Sequence, residues 1–324
     1  MKALQIVAPG VCEVLDVPAP EPGTGEVLIE VEAVTTCPHW DIHILGGEPM
    51  FPGAGLDYPY TMGQPGHEAC GRIAGLGAGV SGFRVRQRVV VWRDRGHHVP
   101  GCYAQYVAVD VDSVLPAPDD LPPEACAPLE LAMCASAHVM YAEALDVVAG
   151  KRVGVFGLGP AGLVFVQLLR AAGAAEVIGF DPLPERRALA QRLGAKEALD
   201  PAGDAAARLP RRNAPGCLDT AFDCAGVPAA VHRAMAHTRH LVVLFAVQRV
   251  PYSFAPECWS GLTLAGTRPH TREAAEYAAA RLADGRIDLG AIVSRRMRLE
   301  QYAEAVDLLR QGQALKIAFV PGGD

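Results

Sequence analysis

The feature that most constrains this chain is a set of glycines at fixed spacing. In GVFGLGPAGLVFVQLL, Gly157, Gly159 and Gly162 stand in G-x-G-x-x-G order, directly after the apolar run RVGVF and at the start of an amphipathic run. Such a segment has to leave a buried strand, turn tightly and enter a helix. The first glycine permits the turn, the second lets a pyrophosphate approach the backbone, and the third lets helix and strand pack closely. Pro160 and Ala161 open the helix, whose N-terminal N–H groups attract phosphate.

The flanking sequence supports a dinucleotide reading over a bare tight turn, the alternative for these glycines. Asp181 closes the next apolar run, EVIGFD, where a carboxylate accepts hydrogen bonds from the adenosine ribose hydroxyls and repels a 2′-phosphate. NAD is therefore the expected cofactor. Arg186 and Arg187 follow closely and are placed to meet a phosphate, which keeps NADP open as the lesser alternative. From 150 to 265, strands RVGVF, EVIGFD, LDTAFDC and HLVVLFA alternate with helices at 160 to 172, 184 to 193 and near 228 to 237. That alternation predicts an α/β Rossmann fold, a doubly wound parallel sheet. Asp223 and Gly226, at the end of one such strand, face either ligand or their own turn.

The 324 residues exceed one typical domain. Residues 1 to about 120 read differently, as short β-type runs (EVLIEVEAV, GRIAGLG, RVVVW, YAQYVAV) between Gly and Pro turns. Pro116, Pro118, Pro122 and Pro123 interrupt the chain before it turns Ala-rich. We expect a β-rich, barrel-like domain over 1–121, a dinucleotide domain over 122–265, and a segment 266–324 that packs back on the first. In that last segment Leu299, Tyr302, Val306 and Leu309 share a helical face ahead of the apolar run KIAFV.

Composition excludes several classes. A formal charge of −7 without a Lys/Arg block argues against nucleic acid or an anionic membrane as partner. Apolar runs such as LVVLFAV fall short of the roughly 18 residues of a spanning helix. The N-terminus breaks at Pro9 and Gly10 before a signal-like apolar core develops. Nine cysteines, odd in number and irregularly spaced, are no secreted disulfide framework. A cytoplasmic protein acting on a small molecule is the expectation.

Potential metal ligands gather early: Cys37, His39 and His43 in TTCPHWDIH, then His67 and Glu68 in GQPGHEACGRIAGLGAGV. From Gly66 to Val80 the order G-H-E-x-x-G-x5-G-x2-V resembles the zinc-site signature of the medium-chain alcohol and polyol dehydrogenases. Cysteine, then His-Glu, then the glycine fingerprint follows the same sequence in that family. The resemblance spans essentially the whole chain and implies a β-rich, GroES-like catalytic domain with a Rossmann domain inserted. It implies Cys37 and His67 as zinc ligands, donors that suit a borderline-soft tetrahedral cation. The third ligand would come from PLELAMCASAH, where Glu130 is preferred and Cys134, one turn on, is the alternative. Glu68 would either ligate transiently or support the site.

Two departures from the family matter. Cys37-Pro38-His39-Trp40-Asp41 lacks the hydroxyl that begins the family's proton relay. His39 and His43 are candidates to replace it, or else are simply exposed. Trp40 reads as packing or as a wall of the substrate pocket. The stretch VVVWRDRGHHVPGCYAQY holds only Cys102 where many relatives carry four cysteines, so one catalytic zinc and no structural zinc is expected. His97 and His98 read as solvated. The function implied is hydride transfer between a secondary alcohol or polyol, or the ketone, and NAD(H). The alternatives are a zinc-free NADPH-dependent enone or quinone reductase and a catalytically idle dinucleotide binder. A homodimer or homotetramer is expected through HLVVLFA and segment 249–263, by the same resemblance.

Overall fold

The computed structural model of the protein describes residues 1–51, 53–254 and 258–323. The expected subunit-contact segment 249–263 thus includes positions 255–257, which lie outside the described residues. The chain forms two compact units, one of Met1–Glu130 with Leu289–Asp324 and one of Leu131–Asp288.

The first unit begins with a hairpin of β1 (Lys2–Ala8) and β2 (Val11–Asp16). There follow β3 (Glu26–Thr35), α1 (Pro38–Gly46), β4 (Glu68–Leu76), β5 (Arg88–Val91), β6 (Tyr106–Asp110), β7 (Val114–Pro116) and the short α2 (Pro123–Cys126). In β3, Val27, Ile29, Val31 and Ala33 alternate inward, the period of a strand with one face on a core. Val34 and Thr35, next in line, are buried as well.

The second unit starts within α3 (Leu129–Ala144). It continues through β8 (Arg152–Phe156), α4 (Pro160–Ala171), β9 (Glu176–Phe180), α5 (Pro184–Arg192), β10 (Glu197–Leu199), α6 (Asp204–Ala207), β11 (Leu218–Asp223), α7 (Pro228–His237), β12 (Thr238–Leu244), β13 (Thr263–Ala265) and α8 (Arg272–Ala283). Among the described residues its sheet has six parallel strands ordered β10-β9-β8-β11-β12-β13. In β8 and β9 four consecutive residues are buried, as expected of strands covered on both faces. The doubly wound α/β expectation holds.

The chain then returns to the first unit with β14 (Arg295–Met297), α9 (Tyr302–Arg310) and β15 (Ile317–Phe319). Among the described residues these complete a seven-stranded sheet ordered β14-β15-β3-β4-β5-β7, with β6 pairing β3. Leu299, Tyr302, Val306 and Leu309 are buried in its core, as their helical spacing predicts. Tyr302 also donates to the buried carboxylate of Asp41 on α1 at 2.7 Å, and Tyr103 donates to it at 2.8 Å. Burial lifts Asp41 to about 6 against those hydrogen bonds.

The units divide at 130/131 and 288/289, away from the expected 121/122 and 265/266. α2 packs on β3 and β4, which keeps residues 122–130 with the first unit. α8 buries Ala274, Ala275, Ala278 and Leu282, and Tyr277 donates to Glu143 of α3 at 2.9 Å. Asp288 N–H donates to Gln167 of α4 at 2.6 Å. Residues 266–288 are thereby tied into the second unit.

Candidate functional site

Three segments of the first unit meet around His67. Cys37 caps α1 in an extended conformation just past the end of β3. His67 and Glu68 sit where β4 begins, and Glu130 lies in the first turn of α3. One donor atom each from Cys37, His67 and Glu68 falls within 4.8 Å of the others. A carboxylate oxygen of Glu130 lies 3.8 Å from His67 Nε2. Three of the expected residues and the preferred third ligand are thus brought together.

The ring of His67 is fixed. Its Nδ1 is 2.8 Å from the Pro65 carbonyl oxygen, which can only accept, so Nδ1 carries a proton and, in the neutral ring that a metal would bind, Nε2 presents the lone pair. Burial presses His67 toward its neutral form. The hydrogen bond with Cys37 and the charges of Glu130, Cys37 and Asp94 nevertheless raise it well above its ordinary value. In the protein alone, the cluster draws a positive charge onto the ring. Thiol, imidazole and carboxylate around a field that favours a cation are a fitting donor set for zinc.

Glu68 is engaged elsewhere. Lys316, completely buried, donates to its two oxygens at 2.6 and 2.5 Å, and Thr35 Oγ1 donates at 2.9 Å. The register explains this: Thr35 lies opposite Glu68 on β4 and Ala318 on β15. Sequence reading took Lys316 as the flank of an apolar strand and missed it.

The other candidates fall outside this cluster. Cys134 Sγ is 3.3 Å from His270 Nε2. His39 and His43 pack edge to face at 4.7 Å on α1, and His43 Nδ1 is 3.0 Å from Glu48. His97, expected to be solvated, is not: its ring lies 4.1 Å from Trp40, and Nδ1 is 2.6 Å from the Tyr60 hydroxyl. Its neighbour His98 is exposed, as expected. Asp94, which the sequence reading also missed, has a carboxylate oxygen 3.5 Å from His97 Nε2. Despite burial, His97, His67 and the Gly96 N–H hold Asp94 well below the usual carboxylate range.

In the second unit the glycine turn has the geometry its spacing implies. Gly157 has φ of +91°, and a Cβ there would meet the Ala225 backbone at 2.9 Å. A Cβ on Gly162 would fall 1.9 Å from the Gly157 carbonyl oxygen. At Gly159, the residue preceding α4, a Cβ would meet nothing within 4 Å. Protein packing therefore does not demand a glycine there, whereas a phosphate approaching the backbone does. Pro160 and Ala161 form the first turn of α4.

Asp181 is buried and braces this turn. Its oxygens accept from Leu158 N–H at 2.8 Å and Leu183 N–H at 2.9 Å, and Arg186 is 3.7 Å away. Arg187 donates to the carbonyls of Asp181 and Pro182, so it is committed to the loop. Asp223 accepts from Gln248 at 2.7 Å and from the N–H groups of Ala225 and Gly226, which makes it a brace for its own turn.

Known protein families match a stretch of each unit. A zinc-binding dehydrogenase family model matches residues 160–260, and an alcohol dehydrogenase GroES-like domain model matches 23–119. The chain is 32% identical over 252 residues to (R,R)-butanediol dehydrogenase of Bacillus subtilis, covering 70% of each. It is 27% identical over 335 residues to L-threonine 3-dehydrogenase of Legionella pneumophila, covering 93% and 94%. Among solved structures, a zinc-binding dehydrogenase from Sinorhizobium meliloti bound to NADP superimposes with a TM-score of 0.84 at 27% identity, covering 99% of both chains. No helix among the described residues is long and apolar enough to cross a membrane.

Proposed function

The chain belongs to the zinc-dependent alcohol dehydrogenase family, oxidoreductases of small alcohols and ketones, and on that premise we propose that it transfers hydride between a secondary alcohol or polyol and NAD. The observation that carries this reading is the convergence of Cys37, His67 and Glu68 within 4.8 Å, with Glu130 beside His67. Cys37, His67 and Glu130 are the metal ligands in this reading. These residues would hold zinc, which when bound would supply polarisation of the alcohol oxygen and ease its deprotonation near neutral pH.

The protein's own residues do the rest. The Pro65 carbonyl keeps His67 in the tautomer that leaves Nε2 available. Lys316 and Thr35 hold both oxygens of the buried Glu68 in hydrogen bonds, which favours its supporting role over ligation. His39 and His43, paired at the surface of α1, take the released proton to solvent, with Glu48 orienting His43. Trp40, Tyr60 and His97 form an aromatic wall suited to the carbon skeleton of the substrate. Gly157, Gly159 and Gly162 with the first turn of α4 seat the pyrophosphate, and a remaining lone pair of Asp181 accepts from the ribose.

NAD is proposed over NADP because a 2′-phosphate would approach the Asp181 carboxylate, while Arg186 is already 3.7 Å from that anion. A single zinc, a homodimer or homotetramer, and a cytoplasmic setting complete the reading. Secondary alcohols and diols, butane-2,3-diol among them, are to be assayed with NAD and with NADP on zinc-loaded, chelated and re-metallated protein. Turnover should require zinc and favour NAD. Turnover that survives chelation, with NADPH and an enone, would replace this reading with that of a zinc-free reductase.

A further inference from the structure

A second set of donors also includes His67. One ligand atom each from His67, Asp94 and His97 lies within 4.8 Å of the others, and all three side chains are largely buried. His97 Nε2 is buried without a hydrogen-bond partner, while Nδ1 faces the Tyr60 hydroxyl. Asp94 Oδ1 accepts from Gly96 N–H at 2.8 Å, which leaves Oδ2 turned toward His97.

A cavity of about 20 Å³ opens here, with His67, Asp94 and Gln64 in its lining, room for one water-sized occupant. Gln64 Nε2 donates to the Val99 carbonyl at 3.1 Å, and Oε1 is left buried with no partner. Gln64, whose Oε1 is an unsatisfied acceptor, and the Asp94 carboxylate both line this space, and His97 Nε2 lies 3.5 Å from Asp94 Oδ2. A buried acceptor without a donor is costly, and a cation answers acceptor and carboxylate together. Arg95, also in the lining, is committed to Asp110 at 3.2 Å and the Ala108 carbonyl at 2.9 Å. Arg93 is exposed.

We propose that His67, Asp94 and His97 form a second divalent-cation position that competes with the Cys37 position for the single lone pair of His67. Two imidazoles and one carboxylate suit a first-row divalent ion. With His67 Nδ1 spent on the Pro65 carbonyl, Nε2 serves one ion at a time. The chain therefore holds one ion at either of two adjoining places, one with thiolate ligation and one with only nitrogen and oxygen. The inference rests on the Cys37 metal position proposed above but not on the hydride transfer, so protein that binds the ion without alcohol turnover leaves it standing.

Cobalt(II) distinguishes the two, because thiolate ligation gives a sulfur-to-metal charge-transfer band that nitrogen and oxygen ligation lacks. Full-length protein is to be titrated with Co²⁺ as the wild type, Cys37→Ala and Cys37→Ala/His97→Ala, with uptake measured by dialysis and ligation by absorption. The wild type should bind one equivalent with the band. Cys37→Ala should still bind one, more weakly and without the band, and the added His97→Ala should weaken it by about tenfold or more. No uptake by Cys37→Ala, or uptake that His97→Ala leaves unchanged, overturns the proposal. Cys37→Ser, closer in size, carries the same test if the alanine variant does not fold.

Discussion

The nucleotide turn of the second unit and the donor cluster of the first are built by opposite means. Gly157 to Gly162 form a backbone site: six consecutive residues, three of them glycines whose essential property is the lack of a side chain, with Asp181 bracing them from the next strand. Around His67 the backbone only delivers side chains, from the end of β3, the start of β4, the loop at 94–97 and the first turn of α3. The buried imidazoles differ in the same sense. His67 is raised well above its ordinary value by thiol and carboxylate neighbours. His138 in the second unit is lowered to about 4, chiefly by burial and also by Arg268 and His270. One unit is prepared for a cation, and the other keeps its buried ring neutral.

The strongest test of this division is Gly162→Val. Its Cβ would sit 1.9 Å from a backbone oxygen of the turn, so the turn must open, and nucleotide affinity should fall by roughly a hundredfold or more. Zinc content should stay at the wild-type level. Calorimetric NAD titration alongside elemental analysis checks both, and loss of metal together with nucleotide would show that the sites are not separable.

A smaller effect sharpens the contrast of the imidazoles. His138 Nδ1 donates to the Cys134 carbonyl at 2.7 Å, and Nε2 accepts from Arg268 N–H at 3.1 Å. The ring is therefore held neutral. Its folded value lies below the unfolded 6.5, so its contribution is complete above that pH and is lost as pH falls through about 4. Urea unfolding at pH 7 and pH 4.5 should show the wild type losing roughly 2 kcal/mol more than His138→Asn over that interval. Equal losses would mean that His138 is already protonated in the fold.

The same division decides how much the sequence disclosed. The glycine turn was legible because its residues are contiguous and its spacing is itself the geometry. Cys37, His67 and Glu68 were legible only through a resemblance, since nothing in their separation shows that β3 and β4 pair with Thr35 opposite Glu68. Glu130 and Cys134 lie one turn apart on α3 and were separable only when the helix was placed, with Glu130 beside His67 and Cys134 beside His270. Lys316 looked like the edge of an apolar strand, and its burial against Glu68 follows from the β15–β3–β4 register. His97 looked solvated because an isolated pair of histidines carries no periodicity, and only packing against Trp40 and Tyr60 reveals it. That the units divide after 288 rather than 265 was not legible, because the helical pattern of α8 does not say which unit its alanine face covers.

The central claim, that His67 anchors a metal on which the chemistry depends, is met most directly by the zinc content of purified wild-type protein and of His67→Ala. His67 serves both proposed positions, so its removal tests them together. The account predicts about one zinc per chain in the wild type and loss of that zinc, with alcohol oxidation, in the variant. A wild type without zinc, or a variant that retains it, would contradict the account.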